Sequence, residues 1–113
     1  MAIVSSLVPG IPFDLTFIVR NPLGSTETVT LGMIPCLDNW SFELSEDVLS
    51  NMLGGEIRSV TVTVTPPAGQ DLPQGFTPLL DVEGFIGSNP IGGIEIVYTP
   101  APLFQNFLPL VSR

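Results

Sequence analysis

The side chains with the most chemistry to offer in this chain are three carboxylates, Asp81, Glu83 and Glu95, and a single thiol, Cys36. Asp81 and Glu83 are two residues apart, so in an extended strand they share a face, and Glu95 falls on the next alternating run. Oxygen ligands gathered in this way suit Ca²⁺, and a cation would relieve their mutual repulsion. A solvated acidic face is the simpler account of the same residues. Glu46 and Asp47 carry the same ambiguity, the simpler reading being an acidic helix start capped by Ser45. A glycosidase pair would need two carboxylates across a cleft, and nothing in the spacing supplies one. Sugar binding would need exposed aromatics, for which only Phe76, Phe85 and Tyr98 are left over by the core pattern.

The residues that are missing narrow the field further. The chain has no histidine and no lysine. That removes the Ser-His-Asp triad, the Cys-His pair, Schiff-base chemistry and the phosphate-binding lysine of a P-loop. Zinc loses its commonest ligand, and one cysteine cannot build a thiolate site. The expectation is therefore a protein that is not an enzyme and carries no cofactor. Cys36, alone, can form no intramolecular disulfide and reads as a small buried hydrophobe at a strand end, with a reactive or intermolecular thiol as the alternative.

Eleven acids against three arginines leave a net charge of -8 at pH 7. So acidic a chain lacks the electrostatic footprint for nucleic acid or an anionic membrane surface. No apolar run approaches the roughly 18 residues of a membrane span. The first ten residues lack the basic start and apolar length of a signal peptide. That leaves either a protein beginning at its own Met1 or a mature segment behind an added methionine.

The elements that would position these groups are strands. From Arg58 to Thr65 the chain reads R-S-V-T-V-T-V-T, with Val60, Val62 and Val64 on one side and Ser59, Thr61, Thr63 and Thr65 on the other. Two-residue alternation of β-branched side chains is the pattern of a half-buried strand, and Pro66-Pro67 ends it. Phe13 to Arg20 alternates likewise, with Ile18 as the exception, and Glu27 to Met33 follows after the turn Asn21-Pro22-Leu23-Gly24. These two runs are expected to form a hairpin. Asn39 to Leu44 places Trp40, Phe42 and Leu44 inward, with Trp40 as the core tryptophan. Ser45 to Leu53 is open between a single helical turn, burying Val48, Leu49, Met52 and Leu53, and an irregular crossover. Pro66 to Pro78 reads as a functional loop or a crossover between sheets. Leu79–Ile86 and Ile94–Thr99 should pair as a hairpin around a turn at Gly87 to Gly93, with a bulge at Gly84. Ala2 to Val8 is a short edge strand.

Hydrophobic residues make up 44% of the chain, charged residues 12%, and eleven glycines and twelve prolines punctuate the apolar runs. That composition is too apolar for disorder and fits an all-β domain rich in turns. About seven strands at this spacing predict one immunoglobulin-like antiparallel β-sandwich over residues 1–99, followed by an apolar C-terminal arm, 100–113.

The stretches F-D-L-T-F-I-V-R-N-P-L-G-S-T-E-T-V-T-L, N-W-S-F-E-L and G-G-E-I-R-S-V-T-V-T-V-T-P-P-A-G carry a resemblance. Together they resemble the bacterial and archaeal Ig-like accessory domains of the NEW3 or CARDB-like kind, over roughly four fifths of the chain. The resemblance implies a non-catalytic spacer, binding or assembly module on exported or surface proteins, and brings no catalytic residues with it. The long loop before Leu79 and the continuation past Thr99 depart from that pattern.

The continuation reads P-A-P-L-F-Q-N-F-L-P-L-V-S-R and contains Leu103, Phe104, Phe107, Leu108, Leu110 and Val111. A free linker should be polar, and this one is sticky. It can pack on its own domain as a last strand, enter a neighbouring copy by strand addition, or be the cut end of a longer protein. Pro100 and Pro102 favour a rigid, extended exit. With so few charges, much of the surface is Thr, Ser, Gly and apolar, which is easier to understand if copies of the chain cover it. The expected protein is a non-enzymatic structural subunit that assembles with itself into an extracellular filament, cell-surface layer or virion-surface layer through those six residues. An accessory domain of a larger secreted protein is the alternative.

Overall fold

The computed structural model describes residues 1–100. They form eight strands: β1 (Ala2–Val4), β2 (Phe13–Arg20), β3 (Glu27–Pro35), β4 (Ser41–Leu44), β5 (Val48–Met52), β6 (Ile57–Thr65), β7 (Thr77–Ile86) and β8 (Asn89–Tyr98). They make two sheets, a five-stranded one in the order β1-β8-β7-β3-β5 and a three-stranded one in the order β2-β6-β4. The expected Ig-like β-sandwich is the fold. All pairings are antiparallel except β1 with β8, which run parallel from Ala2 beside Ile96 to Val4 beside Tyr98.

The Val/Thr strand is the centre of the smaller sheet. β6 pairs along nearly its whole length with β2, from Phe13 opposite Val64 to Arg20 opposite Ile57, and on its other side with β4. Val60, Val62 and Val64 are completely buried, and each contributes about 1.5–3 kcal/mol through the apolar surface it removes from water. The opposite face is stitched by hydroxyls. The Thr16 and Thr61 Oγ1 atoms lie 3.0 Å apart, and the Thr63 hydroxyl donates to Asp14 Oδ1 at 2.7 Å. Between the sheets, Val62 and Val64 meet Leu80, Val82, Ile96 and Tyr98 in one buried cluster, and Val60 and Val19 meet Val29, Leu49 and Met52 in another. Trp40 packs half-buried against the first cluster, its ring 6.5 Å from that of Phe42 and nearly parallel to it.

Three expectations are corrected here. β2 and β3 are not a hairpin: β2 pairs with β6, whereas β3 pairs with β5 and β7 in the other sheet. Asn21 to Thr26 thus carries the chain across the sandwich. Ser45 to Leu53 contains neither a helical turn nor an irregular crossover but strand β5. Its helix-like spacing comes from a bulge, in which Ser50 and Asn51 together oppose Thr28 between the pairs Leu49–Val29 and Met52–Glu27. Asn51 takes a positive φ of 55° to accommodate it, so Leu49 and Met52 are both buried while Val48 and Leu53 stay exposed. Finally, the turn expected over Gly87 to Gly93 shrinks to Gly87-Ser88, and β8 starts at Asn89. The β7–β8 hairpin itself forms as expected, with a register shift at Gly84/Phe85 where Gly84 marked the bulge. Pro66 to Phe76 is the crossover from the smaller sheet to the larger. Val97 of β8 is fully buried as well.

Candidate functional site

Two places were expected to carry chemistry. The acids form the first. Asp81 and Glu95 are direct cross-strand partners, while Glu83 stands opposite Gly93. Among the described residues no three His, Cys, Asp or Glu side chains gather closely enough to hold a metal ion. Cys36 lies on this side of the larger sheet, exposed rather than buried as expected. Its amide donates to the Leu79 carbonyl at 2.9 Å, which extends the β3–β7 ladder by one residue beyond Pro35. Local desolvation pushes the thiol pKa up, and the negative charges of Asp81 and Glu95 push it further in the same direction. The arrangement therefore suppresses the thiolate, the reactive form. The aromatics do not assemble into a sugar platform: Phe76 is exposed, Phe85 half-buried and Tyr98 buried.

The second place is the apolar arm. Leu103, Phe104, Phe107, Leu108, Leu110 and Val111 lie outside the described residues.

What the sequence did not reveal is a groove between the sheets. Three strands cannot cover five. β2 is an edge of the smaller sheet, and beside it the start of β8, from Ile91 to Ile94, is only partly covered, whereas Leu80, Val82 and Gly84 of β7 are buried. The resulting groove has a volume of about 310 Å³; its walls include Phe17 and Arg20 of β2 and Leu31, Ile91 and Ile94 of the larger sheet. Gly84, Gly92 and Gly93 also line it. At these positions no side chain rises from the strand. Gly92 adopts φ +144° with open space around it, whereas a Cβ on Gly93 would sit 2.8 Å from the Val82 carbonyl oxygen. Among the described residues, Arg20 is the one charged residue on the groove wall.

Strand edges on both sides of this groove are unpaired among the described residues. β2 bonds only to β6, and β1 reaches β8 only from Ile96 onward, leaving Asn89 to Glu95 without a partner on that side. At the far end the gap is closed, because Val4 and Leu7 belong to the same buried cluster as Val64 and Tyr98. An unpaired edge presents backbone donors and acceptors in register for another strand. With an apolar floor beside it, the site can accept an extended segment and bury its alternate side chains.

The end of the sandwich near this groove is tied together by side-chain hydrogen bonds. Asn21 is fully buried, and its Nδ2 donates to the carbonyls of Ser25 (2.8 Å), Met52 (3.0 Å) and Leu53 (3.2 Å). Its Oδ1 accepts from the Leu23 amide at 3.0 Å, an Asx turn that redirects the chain toward β3. Nearby, Glu56 receives Arg58 Nε at 2.7 Å and the Leu53 amide at 2.7 Å. The Arg58 hydrogen bond, then the Leu53 amide, hold the Glu56 carboxyl below its ordinary value, and Glu56 in turn raises the Arg58 guanidinium.

No family model and no curated protein matches the chain by sequence. Solved structures do match it by shape. One is the ASH / PapD-like domain of human CEP192 (PapD-like domain 7), at TM-score 0.58 and 12% identity, over 88% of this chain and 79% of that one. Another is the Pseudomonas aeruginosa CupB2 chaperone, at TM-score 0.53 and 11% identity, over 80% of this chain and half of that one. The fold is an Ig-like β-sandwich, similar to these PapD-like neighbours. Identities this low establish the fold and nothing about what the chain binds. Among the described residues no helix is long and apolar enough to cross a membrane.

Proposed function

We propose that this chain is a non-enzymatic structural subunit that assembles with copies of itself by strand addition, in an extracellular or cell-surface layer or filament or, alternatively, at a virion surface. The observation that carries the proposal is the apolar groove flanked by strand edges unpaired among the described residues, in a chain whose residues 103–111 are largely apolar and uncharged. Edge strands are ordinarily kept short, charged or covered. β2 runs for eight residues as F-D-L-T-F-I-V-R, and Ile18 at its middle is 66% exposed. The absence of histidine and lysine supports a role that involves no catalysis. Sedimentation velocity and electron microscopy of the full chain, beside a chain ending at Pro102, test the reading. Ordered assemblies from the full chain and a folded monomer from the shorter one are expected; a monomeric full chain would refute it.

A second reading has its own support. The human neighbour is itself one PapD-like domain, number 7, of a protein, so this sandwich can equally be an accessory domain within a larger secreted protein, of the NEW3 or CARDB-like kind. A gene that continues into further folded domains on either side would favour it.

A further inference from the structure

The self-assembly reading leaves open where a donated strand would go. We propose that the groove beside β2 is the acceptor, and that its occupant is the 103–111 segment of a second copy, hydrogen-bonded to the free edge of β2 as a fourth strand of the smaller sheet. This rests on the assembly reading above and specifies its contact.

The geometry favours β2 over the edge of β8. A strand added to β2 lies over the partly exposed start of β8, from Ile91 to Ile94, and so extends the second layer of the sandwich. A strand added to the outer edge of β8 would widen the larger sheet and leave the groove open. Space for a side chain is built into the floor at Gly92, where a Cβ would meet nothing within 4 Å. The donor fits that floor. Leu103 to Leu108 is free of proline, and either alternation sends two large apolar side chains to one face: Leu103 and Phe107 about Gln105, or Phe104 and Leu108 about Asn106. Six extended residues span roughly 20 Å, enough to run along the Phe17 to Arg20 end of β2. The segment 103–111 has no charge, so docking it leaves no ionised donor side chain desolvated.

A second copy fits better than the chain's own segment. The chain leaves the sandwich at the opposite end of β8 from Ile91, where the Thr99 amide donates to the Val4 carbonyl at 3.0 Å. β1 is already paired alongside Ile96 to Tyr98. To reach its own groove the segment would have to reverse direction just after Pro100 and Pro102, whose fixed φ favours an extended exit.

The test uses full-length chains. Ile91→Glu places a charge in the groove, and Ile34→Glu places the same charge on an exposed position elsewhere on the larger sheet. Sedimentation velocity should show the assembled species lost in Ile91→Glu and kept in Ile34→Glu, with Trp40 fluorescence reporting that both are folded. If Ile91→Glu assembles like the parent, the acceptor lies elsewhere, while self-assembly stands. If the parent is monomeric, both ideas fail together. Should Ile91→Glu not fold, a disulfide between two different chains decides the matter. Ile91→Cys in one and Phe104→Cys in the other, each carrying Cys36→Ser, should give a cross-linked heterodimer on oxidation. Failure to cross-link while the mixture still assembles overturns the proposed contact.

Discussion

The Asn21 side chain donates to the Met52 carbonyl across 3.0 Å of buried space, tying the β2–β3 crossover to the end of β5. The same amide nitrogen reaches the carbonyls of Ser25 and Leu53. One polar side chain, fully buried and fully bonded, thereby fixes how the two sheets are joined at the end that carries the groove. A buried polar group satisfied by backbone is specific because any departure leaves several partners unpaired.

Asn21→Ala should therefore cost about 1–3 kcal/mol, the range for stranding buried carbonyls. Asn21→Asp should also destabilise near neutral pH, because a carboxylate would face carbonyl oxygens where the amide donated. Urea unfolding of both variants against the parent checks this. Parent-like midpoints would mean that the crossover does not depend on Asn21.

Gly54→Ala and Gly24→Ala should behave differently although the two glycines are neighbours. A Cβ on Gly54 would lie 2.6 Å from the Gly24 carbonyl carbon, a clash with backbone, whereas a Cβ on Gly24 meets nothing within 4 Å. Gly54→Ala should lose about 1–3 kcal/mol, the usual penalty for forced close contact. Gly24→Ala should stay within about 0.5 kcal/mol of the parent, as surface changes do. Thermal melts of the pair give the comparison directly.

Glu56 should contribute an acid-sensitive part of the stability. Its carboxyl is held below its ordinary value of 4.5, first by the Arg58 hydrogen bond and then by the Leu53 amide. A lowered folded-state pKa stabilises fully above the unfolded value, and that contribution fades as pH falls through the folded value. Going down from pH 5 to pH 3, the parent should lose more stability than Glu56→Gln, other carboxylates acting alike in both. Parallel pH profiles for the two proteins would contradict it.

Cys36 should react slowly for an exposed thiol. Local desolvation and the charges of Asp81 and Glu95 raise its pKa, which lowers the thiolate fraction. Alkylation at pH 8 should be slower than for an unstructured cysteine peptide and should speed up in Asp81→Asn or Glu95→Gln. Equal rates for parent and variants would show that the carboxylates do not matter.

Much of the local structure was legible in the residues. Phe13 to Arg20 alternates just as β2 does, including the exposed Ile18, and Gly84 marked the register shift that β7 shows. β5 was not legible. Its buried Leu49 and Met52 stand three apart, a spacing that belongs to a helix unless a bulge intervenes, and a bulge needs the partner strand to define it. The cross-strand meeting of Asp81 and Glu95 followed from the hairpin expected around them. The groove could not be foreseen, because it arises where three strands face five among the described residues. Its glycine-rich wall, Gly92-Gly93, reads in sequence as a turn.

The sequence by itself determined the class of protein and the face each strand buries. Period-two alternation is a property of neighbouring residues, and at Val60, Val62 and Val64 it leaves one solution. Only the tertiary structure decided which strands share a sheet, sending β2 to β6 and β3 to β7 instead of to each other. The physical reason is that alternation specifies a face but no partner. Partners are chosen by burial between residues far apart in the chain, and by one buried asparagine that turns an apparent hairpin into a crossing between layers.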